Sequence, residues 1–300
     1  MAKSLALVLL LLGAGAAWAQ AGAPPAAGEP ETVYSDAQRQ KDDQLSRRFV
    51  QSLLSPSKTL DGQFSRWKSP ICPRVMGVAP AAAYMVEKRI RDVAQEVGAP
   101  LDRSDPCAPD IVIFVTDRQQ MLLDAMVAKD HWLFDAGDMT VRYPVQAWYM
   151  NFVRDYNGRL HMDVPWESIC PDCGTSAEHP PPPLPANDTW LHTGIQAQMG
   201  TAVILADTAA ISGLTLGSFG DYLALMVLAQ TPATGRCQPA PSIANLFLKD
   251  CDADFHTTAL SDVDLAMLTA LYQTPDEPEK LQAMRLIANM RRDLEGQARK

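Results

Sequence analysis

The stretch GSFGDYLALMVLAQ, residues 217–230, decides the fold class, because one carboxylate, that of Asp221, stands at the start of an otherwise apolar run. Leu223 to Ala229 would be apolar on nearly every side of a helix, and a helix without a polar face is buried inside its domain. Ser218 and Asp221, directly before this run, have the spacing of a capping box, in which each side chain accepts a hydrogen bond from the other residue's backbone N–H. The pattern therefore predicts a buried central helix that begins with these two residues.

Asp221 also has a functional interpretation, as a catalytic acid held in a helix away from water. A hydrolase of an unrecognised type, with a metal-independent site, would use Asp221, Tyr222 and His256. A buried carboxylate with a shifted pKa beside a histidine in one cleft would favour this alternative. A structure without such a cleft would favour a protein that acts by binding.

Strand and helix patterns alternate before the buried helix. Apolar side chains recur at helical spacing after Pro80 and stop at Gly98, a residue typical of a helix end. Asp110 to Val115 is a continuous apolar run rich in β-branched residues, which is typical of a buried strand. The sequence predicts an extended segment over 64–78, a helix from 80 to 98, a strand over 110–115, a helix over 118–129, a strand pair over 147–155 and 159–164, and strands over 190–199 and 201–205.

Two local motifs complete the predicted fold. Asn157-Gly158 lies between the paired strands and is favoured in two-residue type I′ turns, because both positions need positive φ. Ser261, with Asp264 three residues on, has the capping-box pattern and predicts a helix over 263–272, followed by a helix over 278–297. The predicted architecture is α+β, a single domain with a mixed sheet, a buried central helix and two C-terminal helices.

The N-terminal segment predicts export. Residues 1–19, MAKSLALVLLLLGAGAAWA, combine a basic Lys3, a short apolar run and the small-residue pattern Ala17-Trp18-Ala19, which is typical of a secretory signal peptide cleaved after Ala19. The apolar run is too short to span a bilayer. We therefore expect a periplasmic or secreted mature protein without a transmembrane segment, with a flexible leader over 20–57, a short helix near 44–54, and a single domain over 58–300.

The charge balance limits the class of partner. The chain has 26 Lys and Arg against 35 Asp and Glu, a formal net charge of −9. Nucleic acids and anionic membrane surfaces are bound by basic patches, so the balance argues against both. An unknown envelope protein or ligand is the expected partner, and the sequence predicts no cofactor.

Six cysteines in an exported chain indicate up to three disulfides. Neighbours in sequence are the favoured pairs, because each pair brackets one supersecondary unit. The Cys170-x-x-Cys173 motif has three interpretations: a local disulfide, half of a zinc site completed by His179 and His192, or a redox motif. The predicted disulfide residues are Cys72, Cys107, Cys170, Cys173, Cys237 and Cys251.

Known metal and hydrolase motifs are incomplete. The five histidines, of which His131 and His161 are the first two, lack the i, i+4 pairing of a helical metal site, so no metal site is predicted. A calcium loop beginning at Asp250 would have Phe255 in place of the turn glycine. Residues 217–220, Gly-Ser-Phe-Gly, miss the first glycine of a serine-hydrolase elbow by one position.

The order of elements around GSFGDYLALMVLAQ and FHTTALSDVDLAMLTALYQTP, residues 255–275, resembles uncharacterised exported proteobacterial proteins that look like degenerate relatives of zinc metallopeptidases. The resemblance covers residues 60–297. It implies that the buried helix stands where active enzymes carry His-Glu-x-x-His. With Asp221 at the Glu position, Gly220 and Ala224 stand at the two ligand positions, and neither side chain can bind zinc. The resemblance therefore implies that the peptidase chemistry is absent.

The sequence leaves enzyme and non-enzyme both open and favours a non-catalytic binding or scaffold role. Exposed loops on a rigid scaffold commonly carry function. The expected contact surface is therefore the hairpin with its proline-rich loop, residues 147–187.

Overall fold

Within the described residues, a mixed sheet is covered on one face by most of the helices and on the other by α3, the helix over residues 119–129. The computed structural model describes residues 36–56, 63–129, 139–155, 157–162, 196–231, 235–275 and 279–297. The described strands are β1 (Arg66–Trp67), β2 (Pro73–Met76), β3 (Ile111–Thr116), β4 (Val145–Arg154), β5 (Leu160–Met162) and β6 (Gln196–Asp207). The described helices are α1 (Asp36–Leu53), α2 (Pro80–Val97), α3 (Gln119–Lys129), α4 (Thr208–Ile211), α5 (Leu216–Ala229), α6 (Asp262–Gln273) and α7 (Glu279–Gln297).

The sheet has the order β2-β3-β6-β4-β5, and the two-residue β1 pairs with β6 just ahead of the point where β3 begins to pair with it. The pairs β1–β6, β2–β3 and β3–β6 are parallel, whereas β4 is antiparallel to both β6 and β5. Val145 at the start of β4 pairs with Ala206 near the end of β6. The first residues of β4 therefore lie at the carboxyl edge of the parallel strands.

The helix predicted to be central is buried as expected. Every residue of α5 from Ser218 to Ala229 is buried, in a core cluster that also contains Ile111, Ile113 and Ile204 of the sheet and side chains of α1, α2, α6 and α7. A smaller cluster on the other face packs Leu123 of α3 against Val203 and Leu205. The predicted α+β domain with a mixed sheet, a buried helix and two C-terminal helices is confirmed.

Three aromatic side chains satisfy the C-terminal carbonyls of α5. The last carbonyls of any helix have no partner within the helix, and a buried helix end needs other donors. The Trp67 indole N–H donates to the Val227 carbonyl at 2.6 Å. The Tyr149 and Tyr272 hydroxyls donate to the carbonyls of Met226 and Leu228 at 2.8 and 3.0 Å. Side chains from β1, β4 and α6 thus fix this end of the helix.

The folded unit begins earlier than the predicted residue 58. α1 begins at Asp36, not near residue 44, and buries Phe49, Val50 and Leu53 in the main core cluster. The polar first half of the helix was not recognised in the sequence, because the apolar residues that pack against the core begin only at Leu45. All of the described residues belong to one compact unit, Tyr34–Lys300.

The hairpin at Asn157-Gly158 is present, but its turn differs from the predicted type I′. Arg154 pairs with Leu160, the Gly158 N–H donates to the Asp155 carbonyl at 2.9 Å, and the Asp155 N–H donates to the Arg159 carbonyl at 2.9 Å. Gly158 has a φ of +78°. The turn is therefore a longer loop with one left-handed glycine, which three-residue hairpin loops commonly use.

No helix in the part of the chain that the structure describes is both long and apolar enough to cross a membrane. The two disulfides found in that part are compatible with an oxidising compartment outside the cytoplasm.

Candidate functional site

Asp221 lies inside α5 and pairs with a cation from the neighbouring helix. Its Oδ1 accepts a hydrogen bond from the Arg89 Nε of α2, and its Oδ2 accepts the Leu260 N–H at 3.2 Å. The Asp221 side chain is 5% exposed and that of Arg89 36%. The carboxylate thus joins α2, α5 and the loop before α6.

The capping-box prediction for Ser218 and Asp221 is wrong. α5 begins at Leu216, two residues before Ser218. Its N-cap is Thr215, whose side chain accepts the Ser218 N–H at 3.0 Å. Ser218 and Asp221 therefore both lie within the helix. The predicted second capping box is confirmed: Ser261 accepts the Asp264 N–H, and Asp264 accepts the Ser261 N–H.

Gly220 permits the approach of Arg89 to α5. A Cβ built on Gly220 would lie 2.9 Å from both Cβ and Cγ of Arg89, a separation that real Cβ atoms do not show. The stem of Arg89 therefore crosses the helix at this glycine and continues to Asp221. In the metallopeptidase resemblance Gly220 occupies a zinc-ligand position, and here it serves helix packing.

Tyr222 lines a pocket between α5 and the start of β4, which we call the α5–β4 pocket. Its walls are residues 143–145, the α5 side chains Tyr222, Leu225 and Met226, and a group of residues within 231–248. The pocket has a volume of about 120 Å³. The Tyr222 ring packs edge-on against Phe247 with centroids 4.7 Å apart. Burial raises the pKa of Tyr222, so its hydroxyl keeps its proton at neutral pH.

One polar group in the wall of the α5–β4 pocket is buried without a partner. Thr231 is one of the residues that line the pocket, it is 7% exposed, and its buried Oγ1 has no hydrogen-bond partner in the described structure. Gln238, by contrast, is satisfied: its Oε1 accepts the Ser52 hydroxyl at 2.6 Å. Buried polar groups are nearly always hydrogen-bonded, so the Thr231 hydroxyl is an exception that needs an explanation.

His256 lies apart from the other two candidate residues. It is exposed, and its backbone N–H donates to the Ala253 carbonyl at 3.3 Å. Asp221 lines a shallow groove at the start of α5, and Tyr222 lines the α5–β4 pocket; neither of these two pockets includes His256. The structure therefore does not bring Asp221, Tyr222 and His256 into one cleft.

A histidine and a carboxylate do meet at the hairpin, which the sequence did not indicate. His161 Nε2 lies 3.0 Å from Asp155 Oδ2, while Asp155 Oδ1 accepts the backbone N–H groups of Asn157 and Arg159, both at 2.9 Å. The hydrogen bond from His161 is the main cause that lowers the pKa of the Asp155 carboxyl. Both residues close the turn. The alternating polar positions of the hairpin sequence do not indicate the contact between His161 and Asp155.

The cysteine predictions are confirmed where the structure describes them. Cys72 pairs with Cys107 and Cys237 with Cys251. Cys170 and Cys173 lie outside the described residues, as do His131, His179 and His192. Within the described ranges, no group of three or more His, Cys, Asp or Glu residues could hold a metal ion.

No protein-family model, no curated protein and no solved structure matches this chain. The kinship with zinc metallopeptidases therefore stays a prediction.

Proposed function

We propose that this is an exported, non-catalytic binding protein of the periplasm or the extracellular space, and that its ligand or partner enters the α5–β4 pocket. The observation that supports this proposal is the pocket itself, whose walls are largely apolar and aromatic. Concave, mostly apolar sites with a few polar groups are the usual form of ligand pockets.

The state of Asp221 counts against the hydrolase alternative. A general acid or base needs a carboxylate that is free to exchange a proton with substrate. Both oxygens of Asp221 accept hydrogen bonds from the protein, one of them from a guanidinium. The companion residues Tyr222 and His256 do not share its groove. A role in holding helices together accounts for the carboxylate without any reaction.

The hairpin remains a second part of the proposed contact surface. Of the predicted surface over residues 147–187, the structure describes residues 147–155 and 157–162, in which Leu160 is 49% exposed. An exposed leucine on a short edge strand fits a partner contact better than a catalytic role.

An activity screen tests the proposal. The full mature chain from Gln20 is assayed with chromogenic ester, peptide, phosphate and glycoside substrates, beside Asp221→Asn and His256→Gln. We expect no turnover that these substitutions abolish. Turnover by the unaltered chain that is lost in Asp221→Asn, while the melting temperature of that variant stays within the range of the unaltered protein, would overturn the binding role.

Export is tested separately by fractionation. Expression of the whole chain in a Gram-negative host, followed by N-terminal sequencing of the periplasmic fraction, is expected to find Gln20 as the first residue. Retention in the cytoplasm with Met1 intact would contradict the proposed location.

A further inference from the structure

The α5–β4 pocket lies at the carboxyl edge of the parallel part of the sheet. Pro144, in one wall of the pocket, is fixed to the end of β6: its carbonyl accepts the Asp207 N–H at 2.8 Å and the side-chain amide of Gln119 at 3.1 Å. Open sheets with parallel strands commonly bind ligands at this edge. The position of the pocket therefore fits a ligand site.

The inner walls of the pocket are held in place by contacts within the protein. The Tyr149 hydroxyl donates to the Met226 carbonyl at 2.8 Å and lies 3.3 Å from the Thr231 carbonyl, so β4 is joined to α5 and to the residues after it. The rings of Tyr222 and Phe247 support each other edge-on, with centroids 4.7 Å apart. A preformed pocket needs little ordering when a ligand enters, which favours binding even of a small molecule.

The polar residues of the pocket leave little for a charged ligand to bind. Gln238 is engaged twice, because its Oε1 accepts the Ser52 hydroxyl at 2.6 Å and its N–H donates to Asn245 Oδ1 at 2.7 Å. Arg236 already has an interaction partner within the protein, and Thr231 Oγ1 is buried. None of the described lining residues is an Asp, Glu, Lys or His. A charge that loses its water without gaining an ion partner is costly, so the pocket favours uncharged ligands.

The apolar walls are rich in aromatic rings. Tyr143, Tyr222 and Phe247 all line the pocket, together with aliphatic residues such as Leu225. Aromatic rings that meet edge-on or offset attract each other beyond the area that they bury. An aromatic ring is therefore the apolar group that these walls suit best.

The size of the pocket limits the ligand to one ring. Its volume of about 120 Å³ is somewhat below that of an engineered apolar cavity of about 150 Å³ that binds benzene. One six-membered ring fits into this space, and two fused rings do not. Gly235 is exposed, whereas Leu225 and Met226 are buried, so the pocket extends from the surface inward to α5. A ring can therefore enter from outside.

We propose that the α5–β4 pocket binds small uncharged molecules that contain a single aromatic ring, with the ring placed between α5 and Phe247. This ligand class rests on the proposed binding function and makes it more specific. Tyr143, Tyr222 and Phe247 are binding residues in this inference, since they form the aromatic walls.

Three single-ring probes with one carbon skeleton test the ligand class: benzyl alcohol, benzoate and benzylamine, titrated at pH 7 into the full mature chain by ligand-observed NMR. We expect the uncharged alcohol to bind about threefold to tenfold more tightly than either ion, because the ring draws the attached charge out of water. Naphthalen-1-ylmethanol, an uncharged alcohol with two fused rings, is expected to bind more weakly than benzyl alcohol.

A fluorine label and one pair of variants locate the binding. In protein that carries 4-fluorophenylalanine, benzyl alcohol should move the Phe247 signal, which is assigned with Phe247→Leu. The signal of Phe114, on the other face of the sheet, should stay in place. Ala244→Leu adds three carbons at a lining residue and should weaken binding about tenfold or more, since the ring and the added carbons compete for one space. Ala253→Leu, at an exposed position that does not line the pocket, should change nothing.

Each other outcome has a definite meaning. Equal or tighter binding of an ion, with the Phe247 signal still moved, overturns the uncharged class and leaves the pocket as a binding site. Tighter binding of the two-ring alcohol, again with the Phe247 signal moved, overturns the limit to one ring. A Phe247 signal that no probe moves overturns the inference as a whole, as does an unchanged affinity in folded Ala244→Leu. The proposed binding function fails on a different result, a hydrolytic activity that Asp221→Asn abolishes.

Discussion

The guanidinium of Arg89 on α2 donates to the carboxylate of Asp221 on α5, and the Arg89 stem reaches it by crossing the helix at Gly220. The helix is capped by Thr215, so the Asp221 carboxylate is not part of its cap. It is one half of an ion pair between two packed helices, and its second oxygen holds the Leu260 N–H of the loop that leads into α6.

The crossing at Gly220 predicts a large difference between two glycine substitutions in the same helix. Gly220→Ala places a methyl group against Cβ and Cγ of Arg89, and we expect it to lower the free energy of unfolding by about 1–3 kcal/mol. In Gly217→Ala the new methyl group lies near only one atom, Thr215 Oγ1, at 3.7 Å. This substitution should raise the free energy of unfolding by about 0.5–1 kcal/mol through helix propensity. Urea unfolding of both variants measures this difference, and equal effects would contradict the close approach.

The Asp264 carboxylate holds the start of α6 through several hydrogen bonds, so truncation of this side chain should lower the stability of the protein. Its carboxylate accepts the hydroxyls of Ser242 and Ser261 and the backbone N–H groups of Ile243 and Ser261. Asp264→Ala leaves buried donors unpaired and should cost about 2–4 kcal/mol of unfolding free energy. Asp262→Ala, an exposed acid in the same turn, is the control and should change stability by less than about 1 kcal/mol. Similar thermal melts for both variants would refute the role of Asp264.

The hairpin should lose stability in acid through Asp155. The hydrogen bond from His161 lowers the pKa of this carboxyl in the folded state. A lowered folded pKa means that the contribution to stability is present above the unfolded value of about 3.9 and is lost as the pH falls through the folded value. Between pH 5 and pH 2.5 the melting temperature should therefore fall more steeply in the unaltered protein than in Asp155→Asn. Asp117→Asn, at an exposed position, is the control and should follow the curve of the unaltered protein. Parallel curves for all three proteins would show that Asp155 does not cause the loss of stability in acid.

Each of the two described disulfides should contribute to the free energy of unfolding according to the length of the loop that it closes. Cys72 and Cys107 are 35 residues apart and Cys237 and Cys251 are 14 residues apart. Loop entropy predicts losses of about 4 and about 3 kcal/mol when each pair is replaced by Ala. Urea unfolding of the two double variants without reductant compares them. A larger loss for the shorter loop would show that local packing, not the unfolded chain, dominates.

The elements of the fold were predictable because their signals are local. Pro80 and Gly98 bracket α2, and the β-branched run over 111–116 forms β3, as the patterns indicated. The start of α5 could not be predicted in this way. Thr215 and Ser218 are both acceptable N-cap residues, and the capping-box spacing between Ser218 and Asp221 favoured Ser218, whereas the N-cap is Thr215. The partner that decides the matter, Arg89, is 132 positions away, and no local pattern connects the two.

The α5–β4 pocket could not be predicted, because residues 143–145, far away in sequence, form it together with α5 and the segment that follows α5. Tyr222 belonged to the candidate residues, but Thr231 and Arg236 follow the helix in a stretch without any motif. Burial of the Thr231 hydroxyl depends on the packing of β4 and the segment after α5, and that packing is a property of the tertiary structure alone.

A double-mutant cycle on Arg89 and Asp221 tests most directly the claim that this carboxylate serves the fold. From the unfolding free energies of Arg89→Ala, Asp221→Ala and the double variant, we expect a coupling of about 1–3 kcal/mol, below that of a fully buried pair because Arg89 is partly exposed. The exposed pair Lys88 and Asp92 on the same helix is the control and should couple by about 0.3–0.5 kcal/mol. A coupling for Arg89 and Asp221 no larger than that of the control, with stability level or higher in Asp221→Ala, would contradict the account and return Asp221 to consideration as a catalytic group.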